Sequence, residues 1–282
     1  VKSLLRAVFF SIFILYSPYI WQRATGEFRL GKLAFDLPYN AVWKTDSAQF
    51  NKPIGKFSYL AHGAQSFVFQ SEDRQWTLKL FRHDRWIHPW RKMIRNEILQ
   101  KKKRLAFDQK IDRLFCSTRL AFEQVPDLTG LVYVHLNRTE HLPSVILIDS
   151  VGREQSLDLN RTYFVIQRRA DPIKQVLLEA VQAGDQEYFK RLSRSFVQLL
   201  NRRTAKGIRN SDTKVAKNFG IWKDQVIEWD FGNYWIDPEM TTEVARLSEI
   251  NRFIFQPERW LKNFPEWVEI YRRETEDLPK MH

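Results

Sequence analysis

The sequence predicts an α+β fold in which a β-rich half precedes a helical half, and three observations carry that expectation. Short β-favouring runs separated by turn residues crowd the stretch before residue 167. Helical periodicity with end signals dominates the stretch after it. Apolar residues make up 44% of 282 positions, with 21 Phe and 10 Trp, enough to bury a sizeable core.

Residues 24 to 60 read as turns and short strands, broken at Gly26, Gly31, Pro38, Pro53 and Gly55. Phe67–Phe69 and Trp76–Leu80 then form a strand–turn–strand pattern around a polar segment. A charged helix, whole or broken, is expected over 90–114, with an apolar stripe of Met93, Ile94, Ile98, Leu99, Leu105 and Ile111. Its run Lys101-Lys102-Lys103-Arg104 reads as a solvated face. Three further strands are expected at 131–136, 145–149 and 163–167. Two helices follow over 171–203, divided near Gly184-Asp185, and Gly207 caps the second. Strands at 219–222 and 226–229 flank a Lys223-Asp224-Gln225 turn, and 243–275 is helical.

Composition narrows the function. A formal charge of +12 favours anionic partners without choosing among them. One cysteine, Cys116, excludes an intrachain disulfide and reads as a small apolar residue inside the fold. The six histidines are scattered, with no zinc-ligand spacing, and neither a Gly-x-Ser-x-Gly elbow nor a Walker phosphate loop occurs. No recognised nucleic-acid motif accompanies the basic charge, so nucleic acid is not the expected partner. The uncharged run Ala7–Gln22, interrupted by Ser17-Pro18, is short for a spanning helix. Residues 1–24 are expected to be a hydrophobic membrane anchor or interfacial helix rather than a cleaved leader. If the segment is an anchor, the basic residues Arg23, Arg29 and Lys32 that follow it favour the cytoplasmic side for the next domain.

Five features occur in an order that resembles the protein-kinase-like superfamily. Leu60-Ala61-His62-Gly63-Ala64-Gln65-Ser66-Phe67-Val68 is similar to the loop over the ATP phosphates, with Ala61 and Ser66 where two further glycines are customary. Lys79 lies eleven residues after Val68, like the strand lysine of that family, and Glu97 stands where its helix glutamate would be. The stretch Gly207–Ile221 resembles a catalytic loop, with Asp212, Lys214 and Asn218 at the functional places. It departs from the pattern in having Asn210-Ser211 for His-Arg and one extra residue between Asp212 and Asn218. Val226–Gly232 resembles the metal-binding Asp-Phe-Gly segment, with Asp230 as its carboxylate.

The resemblance covers about residues 55 to 240. It implies a two-lobed protein-kinase-like fold, with a β-rich N-lobe over 25–167 and a short helical C-lobe over 168–282. It implies ATP and Mg²⁺ as cofactors. Gly63, Ser66, Lys79 and Glu97 would bind nucleotide, and Asn218 and Asp230 would hold metal. Asp212 would be the catalytic acceptor-side residue, and Lys214 would touch the γ-phosphate. The short tail after Gly232 is similar to that of aminoglycoside phosphotransferases and lipopolysaccharide sugar kinases; the apolar N-terminus and basic surface favour the second type, with a hydroxyl acceptor that is anionic or membrane-associated, such as a membrane saccharolipid. Two alternatives share the fold: a membrane-tethered pseudokinase that binds a partner without catalysis, and an enzyme that transfers AMP.

Overall fold

The computed structural model describes residues 16–17, 21, 25–45, 55–82 and 97–276, without the side chains of 97–100 and 103. The stretch read as an anchor therefore lies almost wholly outside the described residues. So does the part of the charged helix before Glu97. Among the described residues no helix is long and apolar enough to cross a membrane.

In chain order the elements are β1 (Lys56–His62), β2 (Ser66–Ser71), β3 (Trp76–Phe81), α1 (Glu97–Gln124), α2 (Pro126–Thr129), β4 (Leu131–His135), β5 (Ser144–Ile148), β6 (Glu154–Asp158) and β7 (Phe164–Arg168). They continue with β8 (Asp171–Pro172), α3 (Ile173–Ala183), α4 (Gln186–Ala205), β9 (Ile208–Asn210), α5 (Val215–Asn218), β10 (Phe219–Trp222), β11 (Gln225–Glu228) and β12 (Tyr234–Ile236). Three helices close the chain: α6 (Glu243–Ile254), α7 (Gln256–Leu261) and α8 (Pro265–Glu276). The result is the expected mixture of sheet and helix. The described residues divide into two compact units, one drawn from 1–40, 51–101 and 135–165, the other from 41–50, 102–134 and 166–282.

The first unit is built on a sheet in the order β7-β3-β2-β1-β5-β6. β1, β2 and β3 are antiparallel neighbours, β1 and β5 run parallel, and β5 and β6 form a hairpin. Alternation sorts the side chains. Phe67 and Phe69 oppose Leu80 and Leu78, all at most 1% exposed, and Phe28 packs edge-on against both phenyl rings. Short strands were expected before β1. Among the described residues there are instead 3-10 turns at Leu30–Lys32 and Ala41–Trp43, and Phe28, Leu33, Phe35 and Trp43 are buried. β6 escaped the sequence reading because Glu-Gln-Ser-Leu-Asp buries only Leu157, and its pairing with β5 rather than its composition makes it a strand.

In the second unit, α1 is unbroken to Gln124 and inserts Phe107, Ile111, Leu114, Phe115, Thr118 and Ala121 into the interior. Leu105, assigned to the stripe from sequence, is 58% exposed. The buried face has its own 3–4 spacing from Phe107 onward, which turns Leu105 out beside Lys101, Lys102 and Arg104. Cys116 is half-buried, with Sγ 3.7 Å from Asp112 Oδ1, so it is not the enclosed apolar residue expected. Burial, aided by Asp112, pushes its thiol pKa up, away from reactivity.

α4 begins where Asp185 accepts a hydrogen bond from the Tyr188 N–H. It buries Phe189, Leu192, Phe196, Leu199 and Leu200, and ends at Gly207, whose φ of +75° suits a residue without Cβ. β10 and β11 turn through Lys223 and Asp224, both at positive φ, the conformation a two-residue hairpin loop requires.

Candidate functional site

In the first unit, Gly63 sits in the loop joining β1 to β2, and its N–H donates to the Ser66 carbonyl at 2.9 Å. A β-bulge at Leu60 precedes it: Tyr59 pairs with Phe69, yet Ala61 pairs with Val68. Space around Gly63 is open, with nothing within 4 Å of where a Cβ would stand. Lys79 lies opposite Val68 on the sheet face away from Phe67, Phe69 and Phe28, together with Ser66 and Thr77. One face of this hairpin is thus filled by aromatic rings, and the lysine is on the other. Glu97 opens the described part of α1.

Sequence reasoning missed what holds this loop. Arg82 is fully buried, 4.3 Å over the Phe67 ring, and its guanidinium reaches Glu27 at 3.3 Å and the Gly63 carbonyl at 3.5 Å. Its main-chain N–H donates to the Gln65 carbonyl at 3.0 Å. Tyr59 donates its hydroxyl to the Gly26 carbonyl at 3.1 Å and stands 2.6 Å from His62 Nδ1. Both ends of the Gly63 loop are therefore tied to residues 26–27. The only signal for this in the sequence was an arginine continuing the even, inward-facing series Leu78, Leu80 of β3.

The second unit gathers Asp212, Lys214, Asn218 and Asp230. After β9 the chain turns so that the Asp212 N–H donates to Asn210 Oδ1 at 2.9 Å. Asp212 Oδ1 accepts the Lys214 N–H at 3.2 Å, and Lys214 Nζ lies 3.6 Å from Asp212 Oδ2. Lys214 is largely exposed and Asp212 partly so, which leaves both reachable. Asn218 ends α5, 2% exposed, and its Nδ2 donates to the Asp212 carbonyl at 3.1 Å. The Asn218 carbonyl accepts Trp229 N–H at 2.8 Å and Asp230 N–H at 3.3 Å. Between Asp212 and Asn218 the chain makes a turn and the single helical turn of α5, which brings Asn218 Nδ2 to the Asp212 carbonyl.

Beneath the loop lies a charge network that sequence reasoning also missed. Arg203 is fully buried; its Nη1 donates to both Glu228 carboxylate oxygens, at 2.8 and 2.6 Å, and its Nη2 donates to Glu249 Oε1 at 3.0 Å. Burial opposes its charge, but Glu228, Tyr234 and Glu249 outweigh burial and raise its pKa. Glu228 also accepts from Asn210 Nδ2 at 2.7 Å and Tyr234 Oη at 2.5 Å. Glu249 accepts the Asn210 N–H at 3.0 Å. Behind Asp230, the Ser117 hydroxyl of α1 donates to the Phe231 carbonyl at 2.5 Å and accepts the Tyr234 N–H at 2.6 Å. Arg203 continues the inward series Phe196, Leu199, Leu200 of α4, and Glu249 adjoins Ile250 and Phe253 on α6; charges in phase with an apolar face were the available signal.

The donor set suits a hard cation. Asn218 Nδ2 is committed to Asp212, which leaves Oδ1 as the amide's donor oxygen, and Asp230 adds a carboxylate. Magnesium takes few protein oxygens and completes its shell with water and phosphate. No group of three or more His, Cys, Asp or Glu that could hold a metal occurs among the described residues.

No family model matches the chain, and no curated protein does. A 2.2 Å crystal structure of WbdD aligns with 75% of this chain and 43% of its own, at 12% identity and a TM-score of 0.35. WbdD with the kinase inhibitor LY294002 aligns over 77% and 45%, at 11% identity and 0.34. A medium-resolution structure described as the bifunctional kinase-methyltransferase WbdD aligns over 75% and 43%, at 13% identity and 0.31. The chain spans less than half the length of these proteins. At such scores the likeness does not define a family.

Proposed function

We propose that the protein is an ATP- and Mg²⁺-dependent phosphotransferase of the two-lobed kinase-like class, acting on a hydroxyl acceptor. The observation that carries the reading is the linkage of Asp212, Asn218 and Asp230 through adjacent hydrogen bonds, although they lie on separate segments of the chain. Lys79 takes nucleotide phosphate, with Glu97 as its steadying carboxylate; the open space around Gly63 admits phosphate oxygens, and Ser66 adds a hydroxyl donor. Asn218 and Asp230 hold the metal, which would supply charge neutralisation at the phosphates. Asp212 orients the acceptor hydroxyl and takes its proton, and Lys214 offers a positive charge to the transferred group. Rate enhancement on this plan comes from positioning and electrostatics. The charge of +12 and the apolar run 7–22 favour a membrane-associated saccharolipid acceptor at the cytoplasmic face.

A titration of thermal stability with Mg-ATP tests nucleotide binding. Saturating ligand should raise the melting temperature by mass action, and an unchanged midpoint counts against binding. Removal of residues 1–24 should release the chain from membranes in fractionation.

One observation favours a second reading, nucleotide binding without transfer. Both Asp212 carboxylate oxygens are engaged by Lys214, as in a purely structural turn. On that reading, Asp212→Asn changes neither nucleotide binding nor any phosphate transfer.

A further inference from the structure

Asn210 is the sole neutral side chain bonded to both halves of the Asp212–Asp230 arrangement among the described contacts. Its Oδ1 accepts the Asp212 N–H at 2.9 Å, and its Nδ2 donates to Glu228 Oε1 at 2.7 Å, two residues before Asp230. Asn218 closes the circuit, donating from Nδ2 to the Asp212 carbonyl and accepting Trp229 and Asp230 N–H groups on its own carbonyl. Asn210, Asp212, Asn218, Asp230 and Glu228 therefore form a closed ring of hydrogen bonds and short chain segments. The ring is anchored: Glu249 accepts the Asn210 N–H, Arg252 donates to the Asn210 carbonyl at 3.2 Å, and Arg203 grips Glu228 and Glu249.

We propose that Asn210 is a positioning residue, whose amide sets the Asp212 loop and the Asp230 segment against each other as one unit. An amide suits this place because it presents one donor and one acceptor in fixed directions and carries no charge beside two buried carboxylates. Arg203 and its partners supply the rigid base, and Asn210 transmits that rigidity to both acidic residues. The importance for catalysis rests on the phosphotransferase reading; the mechanical role does not.

Amide hydrogen exchange on the full chain tests the mechanical role without reference to activity. In Asn210→Ala, protection at Asp212 and at Trp229–Asp230 should fall together by about tenfold or more, while core amides of α4 keep wild-type protection. Asn210→Asp should behave differently with pH. A protonated carboxyl has one donor and one acceptor and restores both bonds; an ionised one cannot donate to Glu228. The introduced carboxyl would face Glu228, Glu249, Arg203, Arg209, Arg252, Asp212 and the Tyr234 hydroxyl. Its protection relative to wild type should therefore be near one at acidic pH and drop as pH rises. Should Asn210→Ala fail to fold, Asn210→Asp at acidic pH and Tyr234→Phe decide. Tyr234→Phe removes a different donor to Glu228 and should lower stability while leaving both ring segments as protected as in wild type.

Loss of protection at Asp212 alone, with Trp229–Asp230 unchanged, overturns the proposal. So does a pH-independent Asn210→Asp profile, or opening of both ring segments in Tyr234→Phe. If exchange follows the expected pattern and wild type transfers no phosphate, the ring stands and the phosphotransferase reading falls. If wild type is active, Asn210→Asp should lower kcat at neutral pH with little change in KM for ATP, and recover relative to wild type as pH falls.

Discussion

The main-chain carbonyl of Asn218 accepts the main-chain N–H of Asp230 at 3.3 Å, so the two residues proposed to hold the metal are joined through the backbone. Their relation does not depend on long side chains finding one another. It follows from β10 leaving Asn218 and β11 arriving at Trp229, antiparallel strands in register from Phe219 opposite Glu228.

That relation makes Gly220 sensitive. A Cβ there would stand 2.2 Å from Trp229 Cζ3 and 2.9 Å from the Ala170 Cβ, so the indole must move. Trp229 is itself fixed by its Nε1–H to the Lys217 carbonyl at 2.5 Å. Gly220→Ala should cost about 1–3 kcal/mol, the usual range for overpacking, in urea unfolding. It should also raise the Mg²⁺ concentration required for Mg-ATP binding, because displacement of Trp229 carries Asp230 with it.

Arg203→Met should be among the most destabilising single changes in the second unit. It leaves Glu228 and Glu249, both fully buried, without their shared cation. Breaking a buried pair in this way costs about 3–5 kcal/mol, and the urea midpoint reads it directly. A loss under about 1 kcal/mol would mean that Arg252 and Tyr234 can compensate on their own.

Acid should weaken the first unit through His135. Burial lowers its pKa from the ordinary 6.5, against the pull of the Thr162 carbonyl, with Nδ1 2.7 Å from that oxygen and Nε2 3.0 Å from the Thr139 hydroxyl. The fold thus favours neutral imidazole. Its contribution is complete above the unfolded value near 6.5 and is lost as pH falls below that toward the lowered folded value. Melting curves should drop across that window, and His135→Gln should remove the part of the slope due to this residue.

The elements were legible wherever pattern and punctuation agreed. The β10–β11 hairpin around Lys223-Asp224, and the α3–α4 division at Gly184-Asp185, were read within a residue or two. Asp212, Asn218 and Asp230 were singled out by spacing alone, and their hydrogen-bonded linkage is what the structure adds. What could not be read is tertiary in origin. β6 is polar and is a strand through its partner, Leu105 belongs to the wrong phase of its helix, and the Arg203–Glu228–Glu249 network joins residues 25 and 46 positions apart. Arg82 reaches the Gly63 loop across 19 residues and Glu27 across 55, separations that no local pattern encodes.

Lys79→Ala should weaken Mg-ATP binding by tenfold or more, about 1.4 kcal/mol, through loss of a phosphate contact. Because Lys79 has the β2–β3 register around it, the sheet should persist, with an unchanged melting temperature in the absence of nucleotide to within a few degrees.

Incubation of the purified full chain with membrane extract and Mg-ATP, labelled in turn at the γ and the α phosphate, tests phosphoryl transfer most directly. Label from the γ position should reach an acceptor and label from the α position should not. Asp230→Asn should abolish both nucleotide binding and transfer. Asp212→Asn should bind nucleotide almost as wild type does and transfer about 10²-fold more slowly or worse. Incorporation of α label would contradict phosphoryl transfer in favour of AMP transfer, and wild-type transfer by Asp212→Asn would contradict the role given to Asp212.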